Sequence, residues 1–447
     1  MAAVTAPHAD AAPAPVPRAL RIAQTRTVLL LFLGYASCYF CRANLPVATP
    51  LLIEELGSRG LSHDAAMLSI AWMGSAGVFA YALGKWFLTS LGDYWGGKRN
   101  LLIATGGATV FSLLFAASGS LPVFTLAWIL NRLCQSIGWS GSVKVSSQWF
   151  HYSRYGAVVG FLSCSYLIGD AIARPSMGLL LEHGLSWRGL FVFGAAVAGT
   201  LFVANLFLLR DSCTDEGFPE AVANPGNVFA TAEPPRSYLT LVLPLLRTRA
   251  FLMVCLLGFA TTMVRETFNT WNPTYFHEFL GASVSRAAMM SAVFPGVGAL
   301  AALLAGWASD RLGHNCRALL LLIGLAASAV ALLILSQLQP GTSGTVLPVV
   351  MVGVAAFCLL GPYVFLPGAF ALDFGGKQAG AVASGLVDGT GYLGGVAAGS
   401  LMGWLAVHYG WGAMFCALAA VSTLASLGAA YLCVLIMRPA ARPAAAT

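Results

Sequence analysis

GYASCYFCRANLPVATPLL, residues 34–52, is an apolar run with one charge, Arg42, near its middle. A guanidinium keeps its proton wherever a protein puts it. Leaving it in hydrocarbon costs about 2.5–3.5 kcal/mol on insertion scales. A chain that carries such a group at mid-membrane depth is expected to use it to bind something negative. A second run, TTMVRETFNTWNPTYF (261–276), sets Arg265 in the same kind of place. The two arginines are read as halves of one anion site.

Working outward, the 447 residues are 58% hydrophobic and 9% charged, with mean hydropathy +0.78. A soluble chain carries about 25% charge, so this composition describes a polytopic membrane protein. The net charge of +7 is spread over short loops and helix interiors, which does not point to nucleic acid. The ten cysteines show no CxxC pair and no metal-like spacing with histidine. Most lie in apolar runs (Cys38, Cys41, Cys134, Cys164, Cys255, Cys358, Cys416, Cys433) and are read as small buried side chains. No metal and no cofactor is expected. Residues 1–24 are Ala/Pro-rich and read as disordered. They do not form a signal peptide, because the first long apolar run follows Arg18, Arg21 and Arg26.

A spanning helix needs about 20 mostly apolar residues. Twelve stretches qualify: 27–52, 66–90, 100–118, 122–146, 156–181, 188–209, 250–275, 285–308, 317–336, 346–370, 379–406 and 411–436. The polar stretch 211–249, with five prolines, reads as a linker between two sets of six. With both termini cytoplasmic, fifteen of the 24 bases fall in cytoplasmic segments and three (Arg59, Arg188, Arg286) on the other side. That asymmetry follows the positive-inside rule. The remaining six, Arg42, Lys85, Arg132, Lys144, Arg174 and Arg265, lie inside spans.

The halves repeat. GAVVGFLSCSYLIGDAIARPSMGLLLEHGLSWRGLF (156–191) parallels GAVASGLVDGTGYLGGVAAGSLMGWLAVHYGWGAMF (380–415) in its glycines and in a closing His and Trp. LGDYWGGKR (91–99) parallels ASDRLGHNCR (308–317). The expected architecture is an all-α membrane protein of twelve helices in two pseudo-symmetric six-helix bundles, 25–210 and 250–438, with a cytoplasmic tail at 439–447. Repeats of this kind place a transporter's site between the halves.

At Asp310, Arg311 and Gly313 the chain resembles the DRxG loop of the major facilitator superfamily, with a poorer copy at Asp93 and Tyr94. More narrowly, it resembles the organophosphate:phosphate antiporters, which include glycerol-3-phosphate and hexose-phosphate exchangers. The likeness rests on GYASCYFCRANLPVATPLLIEE, YALGKWFLTSLGD, CQSIGWSGSVKVSSQWF, VRETFNTWNPTYF and GYLGG. It implies that Arg42 and Arg265 bind phosphate and that Lys85 matches the family's lysine of the second helix. The chain departs from the glycerol-3-phosphate type where Tyr166 stands in place of a histidine. It also adds three acids, Asp170, Glu266 and Asp388.

Each residue has a plainer reading beside the functional one. Arg42 and Arg265 offer forks that suit phosphate, or Glu266 or Asp388 holds Arg265 as a structural pair. Lys85 is a third cationic contact, or it snorkels toward a loop. Asp170 and Arg174, four apart, pair on one helix face, or Asp170 carries a coupling proton. Tyr39 and Tyr166 offer hydroxyls to a substrate, or they pack. Asp93, Asp310 and Arg311 read as a cytoplasmic gate. Gly156, Gly160, Gly169, Gly385, Gly389, Gly391, Gly394 and Gly395 read as close-packing positions. The leading function is a secondary antiporter exchanging a small organic phosphate for inorganic phosphate by alternating access. The alternatives are a proton-coupled symporter and a transporter-like sensor of sugar phosphate. No nucleophile–base set points to an enzyme, and no Walker loop points to a built-in motor. The expected partners are an anionic small molecule and the lipid bilayer of a bacterial inner membrane, around a monomer.

Overall fold

The computed structural model describes residues 17–88, 95–221, 238–312, 316–340 and 344–437, and all regular structure among them is helical. The first half contains α1 (Arg18–Ser58), α2 (His63–Phe87), α3 (Gly97–Ala117), α4 (Leu121–Gln135), α5 (Gly138–Trp149), α6 (Tyr152–Glu182) and α7 (Trp187–Leu208). A 3-10 turn, Cys213–Glu216, and α8 (Tyr238–Arg247) lie between the halves. The second half contains α9 (Arg249–Leu280), α10 (Val284–Ser291), α11 (Val293–Leu312), α12 (Cys316–Gln337), α13 (Val346–Tyr363) with a π-helical turn Leu366–Phe370, and α14 (Ala371–Met437).

Among the described residues nine helical segments are long and apolar enough to cross a bilayer. Twelve spans follow once three particulars are resolved. The fourth span is broken into α4 and α5, and the fifth, α6, carries Asp170, Arg174 and Glu182. The eleventh and twelfth run together in α14. As one rod, its 67 residues would extend about 100 Å at about 1.5 Å per residue, far beyond a hydrocarbon core of about 30 Å. Gly410, at φ +81°, turns the chain back. Before it, Gly391, Gly395 and Gly403 lie against Thr262, Glu266 and Trp271 in turn, so the helix runs parallel to α9. After it, Trp411 meets Tyr275, while Gly428 meets Met253 and Leu257, so the direction is reversed.

The eighth span also breaks, into α10 and α11. The break falls at Ala292, three residues before Pro295, whose missing N–H leaves the Ser291 carbonyl without its helical partner. At the other end of the sequence, α1 begins at Arg18, inside the stretch 1–24 read as disordered; residues 1–16 lie outside the described residues. Its first turns are anchored: the Gln24 amide donates to the Trp149 carbonyl at 2.8 Å and Arg26 pairs with Glu216. The ten cysteines are free thiols. Of the eight expected to be buried, Cys38, Cys41 and Cys255 are, Cys134, Cys164, Cys358 and Cys433 are half-buried, and Cys416 is exposed. It shares the apolar outer face of α14 with Leu424 and Leu427, where a small apolar side chain has no reason to turn inward.

The internal repeat is visible as a bond made twice. Trp187 donates its indole N–H to Glu55, and Trp411 donates its own to Glu278 at 3.1 Å. Glu55 follows Arg42 by thirteen residues, and Glu278 follows Arg265 by thirteen. Both acids sit at the end of the molecule opposite the linker. Glu55 is held further by Arg188 at 2.9 Å, within its own half. Glu278 reaches His63 of the other half at 3.3 Å.

The halves meet along two seams. On one, α2 packs on α14: Ser75 donates to the Val396 carbonyl at 2.8 Å, and a Cβ on Gly399 would fall 2.4 Å from Ser75 Oγ. On the other, α6 packs on α10 and α11. A Cβ on Gly178 would come within 2.7 Å of the Ser285 carbonyl oxygen. Gly169, Gly389, Gly391, Gly394 and Gly395 are also tight contacts, as expected, whereas Gly160 and Gly385 have open space beside them.

Candidate functional site

Arg42 lies midway along α1, between the two seams. Pro46, one turn on, lacks the N–H that would bond the Arg42 carbonyl, so the helix is one backbone bond short just where the charge sits. The guanidinium donates through Nε to Gln135 Oε1 at 2.7 Å and through Nη1 to the Tyr39 hydroxyl at 3.0 Å. Its carbon stands 4.5 Å from the Tyr39 ring centre and 4.7 Å from that of Tyr81, which is cation–π geometry. Nη2 is buried without a partner.

Arg265 is the counterpart on α9. It donates to the Tyr363 hydroxyl at 2.9 Å and to Glu266 at 2.8 Å, and its Nε is buried without a partner. Its guanidinium lies 4.7 Å from the Tyr363 ring and 5.6 Å from Tyr392. Glu266 also accepts from Asn269 Nδ2 at 3.3 Å. The acid beside Arg265 in sequence is therefore its partner in space. Asp388, the other candidate, pairs with Lys85 at 3.2 Å, across the α2–α14 seam.

Asp170 and Arg174 make the expected pair on α6, with Nε at 3.1 Å from both carboxylate oxygens. Arg174 then reaches into the other half. It donates to Ser291 Oγ at 3.3 Å and to the Asn269 carbonyl at 3.0 Å. That carbonyl is available because Pro273, four residues on, has no N–H to give it.

These groups share one cavity between the halves. Tyr39, Arg42, Tyr166, Asp170, Arg174, Arg265 and Glu266 all line it. Its volume is about 90 Å³, smaller than the range of about 300–1,000 Å³ typical of sites that enclose a drug-sized ligand. The Tyr166 ring lies 6.0 Å from that of Tyr39. Lys85 and Asp388 are not part of the lining. Of the gate residues, Asp93 lies outside the described residues, as does the Asp310 side chain. Arg311 is exposed, with its guanidinium 4.9 Å from the ring of Trp307 on its own helix. Among the described residues no group of three or more His, Cys, Asp or Glu converges as a metal site would.

Sequence reasoning missed Arg132, Gln135, Tyr81, Tyr363 and Tyr392. Arg132 was visible as a base inside a span, and Tyr81 and Tyr392 stand within YALGK and GYLGG. Their shared feature, aromatic faces turned to guanidiniums, needs the packing of separate helices.

The model of the Major Facilitator Superfamily matches residues 31–398. A glycerol-3-phosphate transporter of Bacillus subtilis (strain 168) is 26% identical, covering 86% of each chain. The membrane sensor protein UhpC of Escherichia coli (strain K12) is 28% identical, covering 84% of each. The crystal structure of a D-xylose-proton symporter superposes with a TM-score of 0.70 at 16% identity, covering 91% of this chain and 97% of that one. At that identity the structural likeness speaks to fold alone.

Proposed function

The chain belongs to the Major Facilitator Superfamily, a family of multi-pass membrane transporters rather than enzymes, and from that premise we propose that it exchanges a small organic phosphate for inorganic phosphate. The reading rests on one observation: Arg42 and Arg265, one from each half, line a common cavity and each keeps a buried N–H without an acceptor. A phosphate oxygen supplies that acceptor, with charge-assisted bonds about twice as strong as neutral ones. Around Arg42 it displaces only neutral partners, Gln135 and Tyr39. The relatives support the same class, the Bacillus subtilis protein being named for glycerol-3-phosphate. Substrate-binding roles go to Arg42, Arg265, Tyr39 and Tyr166, and an electrostatic one to Lys85.

Exchange follows from charge. Positive groups without a counter-anion oppose closing the halves on an empty site; a bound anion removes that cost, so each crossing needs cargo. The bundles 25–210 and 250–438 would rock about the cavity. Both termini and the linker 211–249 would face the cytoplasm of a bacterial inner membrane.

The test is counterflow in liposomes. Vesicles loaded with inorganic phosphate should take up labelled glycerol-3-phosphate or a hexose phosphate, and phosphate-free vesicles should not. Uptake driven by external acid without internal phosphate would replace antiport with proton symport. A second reading, a sensor, is favoured by the relative named as one. Ester binding without any flux would select it.

A further inference from the structure

Four guanidiniums and two carboxylates line the central cavity: Arg42, Arg132, Arg174 and Arg265, with Asp170 and Glu266. Arg174 pairs with Asp170, and Arg265 with Glu266. Arg42 and Arg132 have no carboxylate partner among the described residues. Arg42 is engaged by Gln135 and Tyr39. Arg132 is the more exceptional. It is 5% exposed, makes no hydrogen bond or ion pair among the described residues, and its Nε is buried without an acceptor. Only aromatic faces attend it, Tyr81 at 5.0 Å and Trp128 at 5.9 Å.

A buried charge with no partner is among the costliest arrangements a protein can hold. Here it is kept at the wall of a cavity, and the phosphate site proposed above does not use it. One phosphate held between Arg42 and Arg265 gives the Arg132 guanidinium no acceptor of its own. Its position says what would satisfy it. Arg132 precedes Gln135, the partner of Arg42, by three residues on α4. The two therefore share a helix face, about 4.5 Å apart along the axis. Tyr81 lies beside both guanidiniums, with 4.7 Å from its ring centre to Arg42 and 5.0 Å to Arg132. An anion at Arg132 thus sits about one helical turn from a phosphate at Arg42, toward the end opposite the linker.

We propose that Arg132 is a substrate-binding residue for a second anionic group, so that the chain prefers phosphate esters bearing a carboxylate or second phosphate over esters with neutral tails. The inference rests on the phosphate reading of Arg42 and Arg265. In a three-carbon phosphate ester with a terminal carboxylate, phosphorus and carboxyl carbon are four bonds and roughly 5 Å apart. That span matches the offset between the two arginines. A hydroxymethyl group in the same place offers no charge to Arg132.

The test compares 3-phosphoglycerate with glycerol-3-phosphate, equal in length and differing in carboxylate against hydroxymethyl. Each competes against labelled phosphate exchange by the full chain in liposomes. The expected result is an affinity about tenfold higher for 3-phosphoglycerate, the usual worth of a charge-assisted bond. Arg132→Gln should erase most of that ratio, and Arg132→Lys should keep the larger part of it. Equal or weaker affinity for 3-phosphoglycerate in the parent chain overturns the inference, even if Arg132→Gln fails to assemble. So does an Arg132→Gln protein that loses affinity for both esters in equal proportion. If the parent chain exchanges neither ester nor inorganic phosphate, the phosphate reading itself falls, and this inference with it.

Discussion

Replacing Asp170 by alanine leaves Arg174 buried, with its side chain 3% exposed, and without its carboxylate. Breaking a buried pair from one side costs about 3–5 kcal/mol. Arg174 keeps its bonds to Ser291 and to the carbonyl that Pro273 releases, so the low end, about 3 kcal/mol, is expected. Asp170→Ala with Arg174→Ala removes the stranded charge but also both bonds into the second half. Hydrogen bonds from a charged group are worth about 1.5–3 kcal/mol each, but removing Arg174 also removes its desolvation cost of several kcal/mol, so the double variant should lie below the parent and above the Asp170→Ala single. Because those two bonds join the halves, the double variant should also shift the balance between cavity orientations. Denaturant unfolding of purified protein in detergent measures the first effect, and cysteine accessibility at the end opposite the linker measures the second. A double variant no more stable than Asp170→Ala would refute the structural pair and move Asp170 toward proton coupling.

Two further expectations concern charge and topology. Lys85 and Asp388 form an ion pair across the α2–α14 seam, so Lys85→Gln alone should impair exchange more than Lys85→Gln with Asp388→Asn; equal loss would return Lys85 to direct substrate contact. Cysteines placed at either terminus and at the linker, in a cysteine-free background, should react with a membrane-impermeant reagent from the same side, and linker labelling from the opposite side would invert the proposed orientation.

The architecture was legible because its signals are local. A twenty-residue apolar run is self-evident, and an arginine within one, as at Arg42 and Arg265, stands out without any neighbour. The closing Trp of the repeat was legible too, though its meaning, a bond to Glu55 or Glu278, was not. What escaped depends on contacts between distant spans. Nothing in the order of residues assigns Glu266 to Arg265 and Asp388 to Lys85, since either acid lies in the right kind of helix. Arg132 was seen as a charge in a span, but that no acid meets it emerges only when α2 and α4 pack together. The break just before Pro295 had a visible cause. The break between α4 and α5 had none as plain: there Gly138 and Gly141 press against Ala104 and the Gly97 carbonyl.

The most direct test of the paired-arginine site is exchange by Arg42→Lys and Arg265→Lys, each keeping the charge while losing the planar fork. The site proposed here needs both forks on one phosphate. Each lysine variant should insert normally and bind glycerol-3-phosphate and inorganic phosphate more weakly by about 2–3 kcal/mol, or about 30- to 150-fold. Purified protein titrated by binding and by counterflow measures this. Near-parental exchange by either variant across a panel of phosphate esters would contradict the paired-arginine site.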